Sequence, residues 1–255
     1  KYRSSTLSNV GLANLFIVYI IWSSTYLAIR VGMGEGSGLS LLAMGTIRLL
    51  MAGAILLGYS AIRKHRVRIT GQEIIFLIIT SIFMWVINFG CVMWAEQRAG
   101  SGFAALIVST SPIMVAFLDS LLLRRTPSRL LIGSLLFSLC GLGLLMAPSL
   151  LDGKSTDFVA GIALLFCALS WSIGTVYQSR NSIELPVAVI SGYQHLFGGG
   201  IFGLLMLAFQ EPLPHPTAQA WIALWYLIIF GSVVAFTAFI TALKLLPINI
   251  AMTYA

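Results

Sequence analysis

Long apolar stretches recur along the chain and are separated by short polar breaks. Each stretch approaches the roughly 20 residues that an α-helix needs to cross a bilayer. The breaks are rich in glycine, proline or charge, as in Gly32–Gly38 and Glu211–Pro216. The pattern predicts an all-α integral membrane protein with helices at 10–30, 39–61, 73–95, 100–123, 129–148, 158–179, 187–209 and 219–243, and a ninth that begins near Pro247.

Composition indicates that the surface of this helical protein faces lipid. Hydrophobic residues make up 58% of the chain and charged residues 9%, and the mean hydropathy is +0.96. A soluble domain is about 25% charged, so a water-exposed globular surface is excluded. The cysteines Cys91, Cys140 and Cys167 lie in apolar runs without metal-ligand spacing. We interpret them as small core residues and expect neither a metal nor a cofactor.

The basic residues predict how the chain is oriented in the membrane. Cytoplasmic segments are enriched in lysine and arginine, and clusters at helix ends indicate topology rather than a nucleic-acid partner. With the N-terminus in the cytoplasm, outer segments hold only Arg30, Arg98 and Lys154, and Arg48 lies inside the second helix. The inner segments then hold Lys1, Arg3, Arg63, Lys64, Arg66, Arg68, Arg124, Arg125, Arg129, Arg180 and Lys244.

A weak internal repeat divides the chain into two halves. At a shift of 147 to 149 residues, the matched pairs are Trp22-Ser23 with Trp171-Ser172, Arg48 with His195, Gly53 with Gly200, Ala95 with Ala242, and Ala104 with Ala251. A repeat of five helices reverses direction in its second copy, which predicts inverted repeats, a recurrent design of transporters. We predict repeats at 1–148 and 149–255, with nine helices in this chain and a tenth expected beyond residue 255.

Five parts of the chain resemble the EamA-type transporters of the drug/metabolite transporter superfamily. They are Tyr19–Arg30, Arg48, Ala95–Pro112, Ser170–Tyr177 and Ile248–Ala255. The resemblance implies a ten-helix fold, an N-terminus in the cytoplasm, and export of small metabolites across the bacterial inner membrane. The family includes exporters of amino acids, among them aromatic amino acids, threonine and homoserine, but family membership alone leaves the substrate open.

Arg48 and His195 are the candidate polar groups for substrate. A charge inside the membrane costs about 2.5–3.5 kcal/mol on insertion scales. A planar guanidinium can form bidentate hydrogen bonds with a carboxylate, so Arg48 is predicted to bind a substrate carboxylate. The alternatives are a structural clamp on carbonyls, or snorkelling. His195, at the matching position of the second repeat, is predicted to hydrogen-bond substrate or relay a proton; the alternative is a satisfied core histidine.

Aromatic and amide side chains are predicted to line the pathway. Trp22 and Trp171 are related by the repeat, Tyr26 lies one turn from Trp22, and Trp85 and Asn88 share one face of the helix at 73–95. A tryptophan face also attracts an ammonium group. The alternative for the tryptophans is ordinary anchoring at the membrane interface.

The segment Ser109–Pro112 is predicted to kink the helix at 100–123, either as a hinge or as a packing adjustment, because proline removes a backbone hydrogen bond. Glu96 and Arg98, at the outer end of the preceding helix, are expected to face water. That expectation leaves no carboxylate near the middle of the membrane.

The function predicted from the sequence is export of small metabolites, most simply amino acids, by alternating access through a central cavity. Other solutes, such as drugs, sugars or nucleotide-linked metabolites, stay open. The chain contains neither HExxH nor GxSxG, and we expect no enzyme. A channel would need a ring of charges or carbonyls. We expect the partners to be substrate and lipid, and the protein to be a monomer or a weak homo-oligomer.

Overall fold

The computed structural model describes residues 8–99, 101–124, 155–181 and 183–254, together with positions 126, 129–130, 132–134, 136–137, 140–141 and 144. Throughout these residues the regular elements are helices, which confirms the predicted fold class. The predicted helix at 129–148 falls largely outside the described residues. The elements are α1 (Asn9–Gly32), α2 (Leu41–Ile62), α3 (Gly71–Ser81), α4 (Asn88–Glu96), α5 (Ser101–Val108), α6 (Ser111–Leu122), α7 (Ser155–Arg180), α8 (Val187–Ala208), α9 (Ala218–Tyr226), α10 (Ala235–Leu245) and α11 (Ile248–Ala251).

Two helices pass through a π-helical segment near their middle. Ile82–Ile87, the first π segment, joins α3 to α4, and Leu227–Val234, the second π segment, joins α9 to α10. Their first residues are 145 positions apart and their last residues 147 positions apart. This separation is close to the shift of the internal repeat. The wider π turn is frequent at functional sites.

Seven of the described stretches are long and apolar enough to span a membrane: Asn9–Gly32, Leu41–Ile62, Gly71–Glu96, Ser101–Leu122, Phe158–Arg180, Val187–Ala208 and Ala218–Leu245. Their windows have a mean hydropathy of 1.2 to 2.3. Large apolar side chains such as Phe16, Ile62 and Leu207 point away from the bundle and are exposed. Such faces suit contact with lipid tails, which are as apolar as leucine.

Helices α2 and α8 pack against each other through glycines. A Cβ on Gly199 would lie 2.8 Å from the backbone nitrogen of Leu50, and one on Gly53 would lie 2.9 Å from the carbonyl oxygen of Gly192. Glycines permit this approach because they have no side chain to hold the two helix backbones apart. Gly200 faces elsewhere, with nothing within 4 Å of an added Cβ. Elsewhere in the bundle, α1 packs along α10, and α7 packs against α4 and α6.

Basic residues of several loops and helix ends meet at one end of the bundle, here termed the basic face. Asp119 accepts from Arg180 at 2.5 Å, and Lys244 donates to the carbonyl of Leu185 at 3.0 Å. The arginine-rich segment 63–68 lies at this same end. Tyr193 of α8 contacts it there and donates to the carbonyl of Val67 at 2.8 Å.

The loops of the opposite face are joined at Gly38. His215 N–H donates to the carbonyl of Gly38 at 3.0 Å. Gly38 has φ +70°, and an added Cβ would lie 2.0 Å from the carbonyl oxygen of His215. Only glycine fits this backbone conformation and this contact. Next to it, Ser40 caps α2 through Ala43 N–H at 3.1 Å and also bonds to Glu211.

Candidate functional site

A cavity of about 240 Å³ opens between α1, α2, the first π segment, α4, α5 and α7. The positions of its lining residues along these helices place it in the half of the bundle away from the basic face. Six of the seven predicted substrate contacts line it: Trp22, Tyr26, Arg48, Trp85, Asn88 and Trp171. Sequence reasoning therefore selected residues that the fold brings together, although their roles stay predictions.

Arg48 is almost completely buried in the cavity wall, with 4% of its surface exposed. Its Nε donates to Ser232 Oγ at 2.9 Å, and its Cζ lies 4.4 Å from the ring centre of Phe89. Within the described residues, no carboxylate pairs with Arg48 and no carbonyl accepts from it. The guanidinium is thus held by a hydroxyl and by aromatic faces, an attraction that strengthens on desolvation.

The second π segment positions both Trp22 and Arg48. Trp22 Nε1 donates to the carbonyl of Gly231 at 3.1 Å, and Arg48 bonds to the next residue, Ser232. Two cavity side chains from different helices are therefore oriented by adjacent residues of one π turn. Sequence reasoning missed Ser232, because nothing in its own helix marks it as the partner of a residue 184 positions away.

Trp22, Trp171 and Tyr254 form an aromatic wall of the cavity. The rings of Trp22 and Trp171 are 5.4 Å apart, and those of Trp22 and Tyr254 are 4.8 Å apart. Such edge-to-face pairs add about 0.5–1.5 kcal/mol to the burial of apolar area. Tyr254 also lines the cavity but was not selected. It lies in the last of the stretches that carry the family resemblance, Ile248–Ala255, so the signal was present.

Asn88 and Ser109 contribute polar atoms to the wall. Asn88 Nδ2 donates to the carbonyl of Cys167 at 3.0 Å, which joins α4 to α7. Ser109 lies in the break between α5 and α6, where Ser111 Oγ donates to the carbonyl of Val108 at 2.6 Å. The interruption predicted at Ser109–Pro112 is therefore present, with Pro112 in the first turn of α6. Whether it acts as a hinge stays a prediction.

His195 lies behind the cavity rather than in its wall. It is fully buried, its ring centre lies 4.3 Å from that of Trp85, and its Nδ1 lies 2.6 Å from the carbonyl of Ser191. A carbonyl only accepts, so Nδ1 carries the proton. In the part of the chain that the structure describes, Nε2 has no partner. Both His195 and Arg48 lie against the Trp85 ring, the Arg48 Cζ at 5.6 Å from its centre, but only Arg48 lines the cavity.

Buried polar side chains surround His195 and extend toward the basic face, here termed the inner polar cluster. Gln194 Nε2 donates to Thr80 Oγ1 at 2.6 Å and to Gln178 Oε1 at 2.8 Å. Four polar atoms of this cluster lack hydrogen-bond partners among the described residues: Thr175 Oγ1, Ser191 Oγ, Gln194 Oε1 and His195 Nε2. Unsatisfied buried polar atoms are costly and need an explanation. Apart from His195, the cluster was not predicted.

The expectation that Glu96 faces water is wrong. Only 4% of its surface is exposed, and neither carboxylate oxygen has a hydrogen-bond partner among the described residues. The tertiary packing of α1 and α5 against α4 covers this helix end, which position along one helix cannot reveal. Arg98 is exposed as expected and stacks on the Trp94 ring at 3.9 Å.

Known proteins resemble the chain over almost its whole length. It is 29% identical to the uncharacterized inner membrane transporter YedA of Escherichia coli strain K12, over 94% of this chain and 76% of that protein. It is 24% identical to the uncharacterized transporter sll0355 of a Synechocystis strain, with the same two coverages. One crystal structure, 19% identical, shares the fold with a TM-score of 0.69 and covers 95% of this chain and 82% of that one.

A family profile accounts for both halves of the sequence. The profile of the EamA-like transporter family matches residues 9–147 and 159–255. These ranges include the helices that build the cavity, from α1 to the turn that carries Tyr254. The chain is therefore a membrane transporter that belongs to the EamA-like transporter family.

Proposed function

We propose that this transporter exports small metabolites that carry a carboxylate, most simply amino acids, across the bacterial inner membrane. The observation that carries the proposal is the guanidinium of Arg48, buried in the cavity wall without a carboxylate partner in the described residues. A buried charge without its counter-charge costs several kcal/mol. A substrate carboxylate would supply the counter-charge and accept bidentate hydrogen bonds from the guanidinium.

The remaining walls suit the rest of an amino acid. Trp22, Tyr26 and Trp171 offer apolar surface, and tryptophan faces also attract an ammonium group. The volume of about 240 Å³ lies below the roughly 300–1,000 Å³ of sites for drug-sized ligands. A small metabolite is therefore favoured over a drug or a nucleotide-linked metabolite.

Alternating access between two inverted repeats, 1–148 and 149–255, is the proposed mechanism. The two profile matches and the spacing of the two π segments support the repeats. The cavity occupies one half of the bundle, whereas the inner polar cluster is closed in the other. Substrate sites of such transporters lie between the repeats, so rocking of one repeat against the other changes access to the site. In this protein, rocking would close the cavity and open a path beside the inner polar cluster.

The basic face supports the proposed orientation. Arginine-rich ends favour the cytoplasm, so we propose that the basic face and the N-terminus lie inside and that the cavity lies in the periplasmic half. The outward faces of the described helices carry exposed apolar side chains that suit lipid, and we expect the protein to work as a monomer or a weak homo-oligomer.

Uptake into liposomes tests the proposal. The purified protein is reconstituted, and labelled amino acids are offered inside or outside, with protein-free liposomes as control. We expect saturable uptake of a subset, competed by the same amino acids but weakly by their carboxamides, which lack the carboxylate. Equal competition by carboxamides would contradict the role of Arg48. If no amino acid is taken up but a sugar or a nucleotide-linked metabolite is, amino acids are the wrong substrate class and that solute takes their place.

A further inference from the structure

Glu96 differs from the other carboxylates whose surroundings the structure describes. Glu73 accepts from Arg66 at 2.6 Å and from Thr70 N–H at 2.7 Å, and Asp119 accepts from Arg180. Glu211 bonds to Ser40, and Glu35 and Glu184 are exposed. Only Glu96 among them combines burial with two oxygens that have no hydrogen-bond partner in the described residues.

The position of Glu96 connects it to the cavity. It follows Val92, a cavity residue, by four positions and thus lies on the same face of α4 one turn nearer the periplasmic end. Two groups of α1 are close enough to interact with it electrostatically, the cavity residue Tyr26 and the exposed Arg30. Arg30 does not form an ion pair with it in the described structure.

The other elements packed against α4 place few titratable groups near Glu96. Helix α5 has none in its sequence, and α7 contributes only Cys167 between Phe158 and Trp171. Helix α2 contributes Arg48, deeper in the membrane and bonded to Ser232. On α4 itself, Cys91 precedes Glu96 by more than one turn, and Arg98 is exposed beyond it. Among the residues whose side chains the structure describes, Arg30 is therefore the positive charge that acts on Glu96.

A lone carboxylate in this surrounding is much less stable than a carboxylic acid. Burial of an ion without a partner costs several kcal/mol, whereas the neutral acid avoids most of that cost. A metal cation such as Ca²⁺ or Mg²⁺ would need about six oxygen ligands. The described residues hold no group of three His, Cys, Asp or Glu side chains that would form such a site. A proton is thus the ligand that this side chain suits.

We propose that Glu96 is a proton-binding site that controls the periplasmic mouth of the cavity. In the described conformation the side chain is a neutral acid, buried where α1, α4 and α5 meet. Loss of the proton to water leaves a carboxylate, which moves toward Arg30 and the solvent and separates α1 from α4. The buried conformation binds the proton more tightly, so low periplasmic pH favours it and high pH favours the open mouth. The proposal rests on the orientation given above for the proposed transport function.

Thiol labelling tests the switch without any transported substrate. The three cysteines are replaced by alanine, and Ser109→Cys, in the cavity wall, reports access to a charged thiol reagent added on the periplasmic side. Because ionisation of a thiol alone raises its labelling rate with pH, each rate is divided by that of Glu35→Cys, an exposed position on the same face, at the same pH. We expect this ratio to rise at least about fivefold from acidic to alkaline pH, as coupling between sites commonly gives. Glu96→Gln should keep the low ratio at every pH, and Glu35→Gln, at an exposed carboxylate on the same face, should behave as the parent.

A second variant covers the case in which Glu96→Gln does not fold. Arg30→Gln removes the positive charge that opposes protonation, so the rise in labelling should shift to higher pH. An unchanged pH profile in a folded Glu96→Gln protein, or in Arg30→Gln, would overturn the proposal. If labelling behaves as expected but no carboxylate solute is transported, the switch stands and the proposed substrate fails. Normal transport with an unchanged labelling profile would instead overturn the switch and leave the proposed function in place.

Discussion

Trp22 and Trp171 touch edge to face, with ring centres 5.4 Å apart and ring planes at 79°. They are also the pair that the internal repeat aligns at a shift of 149 residues. In the proposed inverted repeats, two equivalent positions would meet only close to the two-fold axis. The contact fits that proposal, with the axis beside the cavity, where a substrate would contact both repeats.

Replacement of Arg48 should abolish most transport. Loss of a charged hydrogen bond costs about 1.5–3 kcal/mol, which corresponds to roughly 10- to 100-fold in affinity. Arg48→Gln should therefore raise KM for the substrate by that factor, and Arg48→Lys should raise it less because the charge remains without the planar fork. Arg98→Gln is the matched control on an exposed arginine. Normal uptake kinetics in a correctly inserted Arg48→Gln protein would contradict the proposed docking role.

Ser232→Ala should weaken transport mildly through Arg48. The substitution removes the acceptor of the 2.9 Å bond from Arg48 Nε. The bond orients Arg48 and does not touch substrate, so we expect substrate binding to lose about 0.5–1.5 kcal/mol, less than the loss of a charged bond to substrate itself. We expect KM to rise by roughly two- to tenfold with little change in the amount of folded protein. The double variant with Arg48→Gln should be no worse than Arg48→Gln alone. Additive losses would show that Ser232 acts independently of Arg48.

Alternating access predicts opposite labelling at two serines. Ser109 lines the cavity, whereas Ser191 is fully buried in the inner polar cluster with an unpartnered Oγ in the described structure. In a cysteine-free background, Ser109→Cys should lose reactivity toward a charged thiol reagent under the conditions in which Ser191→Cys gains it. The pair is measured with and without saturating substrate. Parallel changes at both sites would indicate a channel or local unfolding instead.

The packing of α2 on α8 predicts a sharp difference between neighbouring glycines. A Cβ on Gly199 would lie 2.8 Å from Leu50 N, whereas one on Gly200 has open space. Overpacking typically destabilises by about 1–3 kcal/mol. Gly199→Ala should therefore lower the melting temperature in detergent, and Gly200→Ala should leave it unchanged or raise it slightly. Equal melting temperatures would mean that the two helices separate without strain.

Much of the architecture was predictable because the bilayer imposes a simple rule on sequence. Spans such as Leu41–Ile62 must be apolar over a fixed length, so hydropathy alone located them within a few residues. The same rule made Arg48 conspicuous, since a charge inside such a span needs a reason. The predicted repeat then selected Trp22 and Trp171 together, because the two occupy matching positions of its two copies.

Partners across the bundle were not predictable from the sequence. Ser232 as the acceptor for Arg48, the buried state of Glu96, and the inner polar cluster around Gln194 all depend on which helix faces which. Hydropathy is a property of one helix and its solvent, so it determined the spans, while charge and the internal repeat indicated the candidates for the cavity. The direction of each side chain depends on packing between helices, on π turns and on glycine contacts. Only the tertiary structure decides these, because each of them involves more than one helix or a local change of helical geometry.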